Sequence, residues 1–213
     1  MSEVPDLPVT QERSLRRRER ILDAAFHVFS RLGYRDAAVD EIAREAATSK
    51  GGVYFHFPTK ESLFLEILRT TADRLVARVE REVARESDPI ARADVALWTV
   101  LSTFAGHRTT ARLLLVDALG AGPVFQAELE RLHERFAGLI ADHLERAVEE
   151  KIIAPLDART TAQVWFGALH EIVMRWLMAD QPESLERTYP ALRAILLRSV
   201  GIDESRIAAL PPR

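Results

Sequence analysis

Cysteine is absent from the 213 residues, which excludes disulfides and thiolate-bound metals and fits a reducing cytoplasm. No apolar run approaches the ~20 residues needed to cross a bilayer. The first residues are polar and show no basic segment leading into an apolar one, so no export signal is expected and the cytoplasm is the expected compartment. Period-two alternation is missing over any useful length, as are internal repeats and low-complexity tracts, which leaves an all-α class. Catalytic signatures are lacking too. There is no Gly-x-Ser-x-Gly elbow and no phosphate loop, and His133-Glu134 and His170-Glu171 have no second histidine four residues on, as a zinc-protease helix would need. Neither an enzyme, nor a cofactor, nor a metal is expected.

What is present is unevenly distributed. The net charge of -3 hides a basic segment: residues 13 to 60 carry ten Lys/Arg against six Asp/Glu, while the flanking segments are acidic. A local cluster of cations on an otherwise acidic protein is the footprint of a nucleic-acid contact. The stretch from Ala38 to Phe57 lies inside that segment and reads as two short helices around a tight turn. Ile42, Ala43 and Ala46 share one face of the first, and Val53 and Phe57 one face of the second. Ser49 is placed to cap the second helix. The pair Gly51-Gly52 just inside it costs about 1 kcal/mol per glycine against alanine, a cost with a reason if the helix backbone must approach a phosphate closely. Lys50, Tyr54, His56 and Lys60 put polar and cationic tips on the side away from Val53 and Phe57. The pattern predicts a helix-turn-helix with its second helix offered to the DNA major groove; the alternative on pattern alone is a surface hairpin with a solvated basic edge.

From Arg20-Ile21-Leu22-Asp23-Ala24-Ala25 through Phe29, Gly33-Tyr34, Val39-Asp40-Glu41-Ile42-Ala43, Ser49-Lys50-Gly51, Tyr54-Phe55-His56-Phe57 and Lys60-Glu61-Ser62-Leu63-Phe64, the chain resembles the DNA-binding domain of the TetR family of transcriptional regulators. The resemblance implies an arginine-rich arm, Arg16, Arg17 and Arg18, on phosphates or in the minor groove. Thr48, Ser49 and Phe55 are expected near base edges, Lys50 and Tyr54 to set backbone register, His56 and Lys60 to hold phosphates, and Gly51 and Gly52 to let the backbone approach. Two residues depart from the family pattern. Ala38 stands where a hydroxyl residue commonly caps the first motif helix, leaving Asp36 as substitute cap, and Ala47 stands where a turn glycine is common.

The rest of the chain is expected to be helical. Residues 60 to 86 keep helical apolar spacing, long enough to join two domains mechanically, and helices follow near 92–106, 110–119, 124–151, 158–180 and 184–200. In the 158–180 helix the apolar residues cover more than the ~100° stripe that one core contact requires. Trp165, Leu169, Ile172, Trp176, Leu192 and Ile195 are therefore assigned to a homodimer interface, which is also what the family uses; the alternative is a central core helix. Trp98, Leu101, Phe104, His107, Leu114, Asp117, Phe125, Phe166 and His170 mix bulky apolar surface with isolated polar groups and are the candidate lining of a site for a small, largely apolar effector. His133 and His143 are read as solvated.

The expected map is an arm without structure over residues 1–12, a helix-turn-helix DNA-binding domain over 13–59, a helical effector-binding and dimerisation domain over 60–201, and a tail over 202–213. The expected function is a dimeric, ligand-responsive repressor on a palindromic double-stranded DNA operator. The alternatives are a regulator controlled by a protein partner and an all-helical enzyme acting on an apolar substrate.

Overall fold

The computed structural model describes residues 9–213 and, from residue 11, their side chains. Residues 1–8 of the expected arm lie outside the described residues, and helix α1 already begins at Val9, inside the stretch expected to be without structure. The described residues hold helices and no strand. Helices α1 (Val9–Asp36), α2 (Val39–Glu45), α3 (Lys50–His56) and α4 (Lys60–Val83) come first. They are followed by α5 (Pro89–Gly106), α6 (Arg108–Arg112), α7 (Pro123–Glu149), α8 (Ala158–Met178), α9 (Tyr189–Ser199) and α10 (Glu204–Ala208). Two compact units divide between Thr71 and Ala72, within α4. Among the described residues no helix is long and apolar enough to cross a membrane.

In the first unit the residues that the spacing of the two motif helices predicts, Ile42, Ala43 and Ala46, then Val53 and Phe57, are buried. Ile21, Ala25, Val28 and Phe29 of α1 and Leu63, Phe64 and Ile67 of α4 are buried with them. Phe29 meets Phe64 edge-on with ring centres 5.2 Å apart. Helical geometry in α1 is interrupted at Gly33 (φ 76°), a conformation open to glycine. Thr59 and Ser62 cap the start of α4 reciprocally: Ser62 N–H donates to Thr59 Oγ1 at 2.9 Å, and Thr59 N–H to Ser62 Oγ at 3.1 Å.

The second unit holds two apolar cores. One joins Ile90, Leu144, Ala158, Ala162, Leu197 and Val200 with Ile202 and Ile207. The other joins Leu101, Ala111, Val173, Leu177, Leu185, Tyr189, Leu192 and Leu196. The single helix expected over 110–119 is instead α6 running into a π-helical turn, Leu113–Asp117. That turn closes with Ala118 N–H on the Leu113 carbonyl at 3.2 Å, the wider ring of a π-bulge. Likewise a 3₁₀ turn, Leu185–Thr188, precedes α9. The expected tail is not loose, because Ile202 and Ile207 are core residues and Asp203 caps α10 through Arg206 N–H at 2.9 Å.

A buried polar group ties α5 to α9. Asp94 accepts from the Tyr189 hydroxyl and faces Arg213 Nε at 3.3 Å and Arg193 Nη1 at 3.7 Å. Burial first, then the bond to Asp94, pushes the Tyr189 hydroxyl up to about 12, so it stays a donor.

Candidate nucleic-acid interface

The motif is assembled by its helix ends. At Ala38 no side chain caps α2, and Asp36 does not replace the missing hydroxyl. The first turn relies on Asp40 and Glu41, acidic residues at the positive end of the helix. α2 ends in a turn in which Thr48 N–H reaches the Ala43 carbonyl at 2.9 Å. The geometry forces Ala47 to φ +50°, a left-handed conformation costing a residue with a Cβ about 1 kcal/mol. Ser49 Oγ then accepts from Gly52 N–H at 3.1 Å, as its cap position predicts. Gly52 has an internal reason as well: a Cβ there would sit 2.4 Å from Thr48 Oγ1, whereas one at Gly51 would have only a contact at 3.9 Å. Gly52 makes room for the Thr48 hydroxyl, and Gly51 leaves backbone open on the outside.

Helix α3 is locked by one face. Val53 and Phe57 are buried, so the opposite face cannot turn inward. On that face Phe55 is 81% exposed and Tyr54 is exposed beside it. The Phe55 ring lies edge-on to that of neighbouring His56, centres 5.1 Å apart, and faces out of its unit. Lys50 Nζ donates to Asp40 Oδ2 on α2 at 2.8 Å, a pairing that the residue pattern did not disclose and that raises the lysine's pKa. His56, at the other end of α3, is held below its ordinary value, first by burial and then by Arg17 and Arg18, and is neutral near pH 7.

The expected phosphate cations divide. Arg16 is exposed and pairs with Glu12, and Arg17 is exposed. Arg18 is turned inward: it pairs with Glu66 of α4 and lies over the Phe57 ring with its guanidinium 5.0 Å from the ring centre. Lys60 departs furthest from expectation. Its ammonium donates to the carbonyls of Tyr34 at 2.8 Å, Ala37 at 3.0 Å and Arg35 at 3.1 Å, and lies 4.7 Å from the Tyr34 ring centre. Its three N–H groups are all engaged, so the expected phosphate holder is a fastener between α4 and the end of α1. Sequence spacing put Lys60 on the basic edge without showing that the carbonyls at the end of α1 lie within its reach.

The residues assigned to an effector site fall into separate places. Trp98 and Phe104 pack against the core that contains Leu101, with Trp98 5.1 Å from Tyr189. Leu114 and Phe125 are buried, while Asp117 and His107 are exposed, His107 Nδ1 lying 3.0 Å from the Thr103 carbonyl. Phe166 and His170 of α8 meet His133 of α7, with the imidazole centres 4.7 Å apart and Phe166 5.0 Å from His133. His133 is thus partly buried rather than solvated, and burial, the largest cause, holds both imidazoles below their ordinary value. Histidines on separate helices gave no signal in sequence that they would meet.

The dimer assignment is also redistributed. Leu192 is a core residue of its own protomer at 3% exposure. Trp165, Leu169, Ile172 and Trp176 are partly buried and pack against the same core, with Trp165 Nε1 donating to Ser199 Oγ and Trp176 Nε1 to the Glu183 carbonyl. Ile195 and, not assigned to the interface from sequence, Val164 and Met178 face outward, at 62%, 62% and 60% exposure.

The chain is similar to known proteins over most of its length. The profile for bacterial regulatory proteins of the tetR family matches residues 21–67, and that for the tetracyclin repressor-like C-terminal domain matches residues 103–198. The fatty acid metabolism regulator protein of Bacillus subtilis is 22% identical over 167 residues, covering 78% of this chain and 86% of that protein. The HTH-type transcriptional regulator AcrR of Shigella flexneri is 26% identical over 198 residues, covering 88% and 91%. The crystal structure of the regulator FadR from Bacillus subtilis in complex with stearoyl-CoA shares the fold, with TM-score 0.75 and 22% identity over 87% of this chain and 99% of that one.

Proposed function

We propose that this chain, which belongs to the TetR family of DNA-binding transcriptional regulators, is a ligand-responsive repressor acting in the cytoplasm as a homodimer on a palindromic operator. The observation that carries the reading is the two-sidedness of α3. Val53 and Phe57 fix it in the core while Tyr54 and Phe55 are left outside, on a helix introduced by a Ser49 cap and an open Gly51 backbone. An apolar ring in the major groove meets the thymine methyl, the apolar group on that edge. Thr48 and Ser49 lie at the same end, Tyr54, Arg16 and Arg17 lie along the backbone, and His56 donates a neutral N–H to phosphate. Residues 13–59 carry the reading, and 60–201 the dimer contact and the effector site.

Two features support control by a ligand. A relative of the same fold holds stearoyl-CoA. In this chain α7 and α8 bring Phe136, Phe166, His133 and His170 together, apolar rings with two neutral hydrogen-bonding groups, a composition suited to an acyl-like effector. Because α4 runs without a break from Lys60 to Val83, an effector that prefers one tilt of that helix changes the separation of the two recognition helices, which DNA fixes at ~34–36 Å or a multiple. The dimer is assigned to the faces of α8 and α9 that expose Val164 and Ile195. Selection of duplexes from a random library by the purified protein tests the reading. A palindrome with half-sites one or two helical turns apart is expected, released by a long-chain acyl thioester. Enrichment of no sequence would contradict it.

A further inference from the structure

We infer that Asp40 and Lys50 act together as a base-reading pair, selecting a G·C base pair in each half-site with Lys50 on the guanine and Asp40 on the cytosine. This rests on the DNA-binding reading of α3. Lys50 is the first residue of α3 and is followed by Gly51 and Gly52. It is therefore the one long side chain in the first turn, and N-terminal residues of a recognition helix are those that reach base edges. Its ammonium is held 2.8 Å from Asp40, and both side chains are more than half exposed.

The carboxylates of α2 face different ways. Glu41 pairs with Arg31 of α1 at 2.6 Å, and Glu45 lies 3.3 Å from His27 and 3.8 Å from Arg31. Asp40 reaches across to the recognition helix. A carboxylate in that position is repelled by phosphate oxygens, so the pair is poorly suited to a backbone contact. The charges cancel, which removes the electrostatic gain that a bare lysine draws from counterion release. What the pair offers is a donor beside an acceptor, and the major groove has the complement. In a G·C pair, guanine presents N7 and O6 as adjacent acceptors and cytosine N4–H₂ follows as donor, whereas thymine offers an ammonium the single acceptor O4. An ammonium on N7 and O6 leaves the neighbouring carboxylate opposite N4–H₂. The pair thus selects G·C over A·T by one acceptor, and over C·G by orientation.

The test compares base preferences, not affinity alone. Library selection is repeated with the full-length variants Lys50→Gln, Lys50→Arg and Asp40→Asn, and binding of each to an unrelated duplex is measured to confirm a folded domain. The wild type is expected to show a G·C preference of roughly tenfold or more at one symmetric position. Lys50→Arg keeps it, Lys50→Gln moves it toward adenine, and Asp40→Asn weakens the preference for G·C at that position without moving it to another base pair. An unchanged preference in Lys50→Gln with uniformly weaker binding would overturn the pair and return Lys50 to the backbone, while leaving the DNA-binding reading intact. Failure of the wild type to enrich any sequence would overturn both.

Discussion

A long cation closes the end of a helix in each unit, and in each an aromatic ring lies against it. In the first unit Lys60 gathers the carbonyls after Gly33 and lies on Tyr34. In the second Arg108 donates to the carbonyls of Trp176, Leu177 and Ala179 at the end of α8, Arg112 joins it on Leu177 at 2.9 Å, and the Arg108 guanidinium lies 5.3 Å from the Trp176 ring centre. The units differ in what is left over. The first keeps the aromatic rings of α3 outside its core, whereas the second takes a few polar groups inward, Asp94 beside Tyr189 and the His133–His170 pair between α7 and α8. The lesson is that a basic residue near a binding surface is available to a ligand only when no bare carbonyl is closer. Carbonyls at a helix C-terminus already attract cations.

The contrast can be broken at its strongest point by Asp94→Ala. It leaves Arg193 and Arg213 without the buried carboxylate and Tyr189 without its acceptor, at a cost of about 3–5 kcal/mol. Denaturant unfolding should show that loss in the second unit with the first unit's transition little moved. A loss under about 1 kcal/mol would mean the network is incidental.

The outward face of α8 and α9 is tested next. Ile195→Arg should convert dimer to monomer by sedimentation while leaving protomer melting nearly unchanged, because Ile195 is 62% exposed. Leu192→Ala should do the reverse, destabilising the protomer by about 2–3 kcal/mol through a core cavity. If Ile195→Arg leaves a dimer, the interface lies elsewhere.

Lys60→Ala sharpens the comparison in the first unit. Three carbonyls lose their donor, and a stability loss of about 2 kcal/mol is expected, with the salt dependence of DNA binding unaltered. A shallower salt slope would restore Lys60 to phosphate. The smallest effect belongs to Ala47→Gly. It relieves a left-handed backbone at φ +50° and should stabilise the domain by about 1 kcal/mol. A destabilising result would place the strain elsewhere.

The first unit was legible because its signals are local. Ser49, Thr59 and Gly33 act on backbone groups within a few residues, and Val53 and Phe57 declare their face by spacing alone. Lys60, Arg18 and Asp40 were misread or missed because their partners lie 10 to 48 residues away in sequence, where periodicity carries no information. In the second unit the same limit applies to whole faces. Apolar residues all round α8 signalled burial on more than one side, but not that the core of its own protomer takes Leu192 and Trp176 while Val164 and Ile195 face outward. The turn at Leu113–Asp117 depends on packing and has no sequence mark of its own, whereas the helix at Glu204–Ala208 is marked by its Asp203 cap and was missed because it is short.

The central claim is that the face of α3 excluded from the core is the face that reads DNA, and Phe55→Ala tests it most directly. At 81% exposure Phe55 adds little to its unit beyond an edge-on contact with His56, so melting should be nearly unchanged. Affinity for the selected palindrome should fall by roughly tenfold while affinity for an unrelated duplex stays the same, as the loss of a base-edge contact requires. Equal affinity of variant and wild type for the palindrome would contradict the claim.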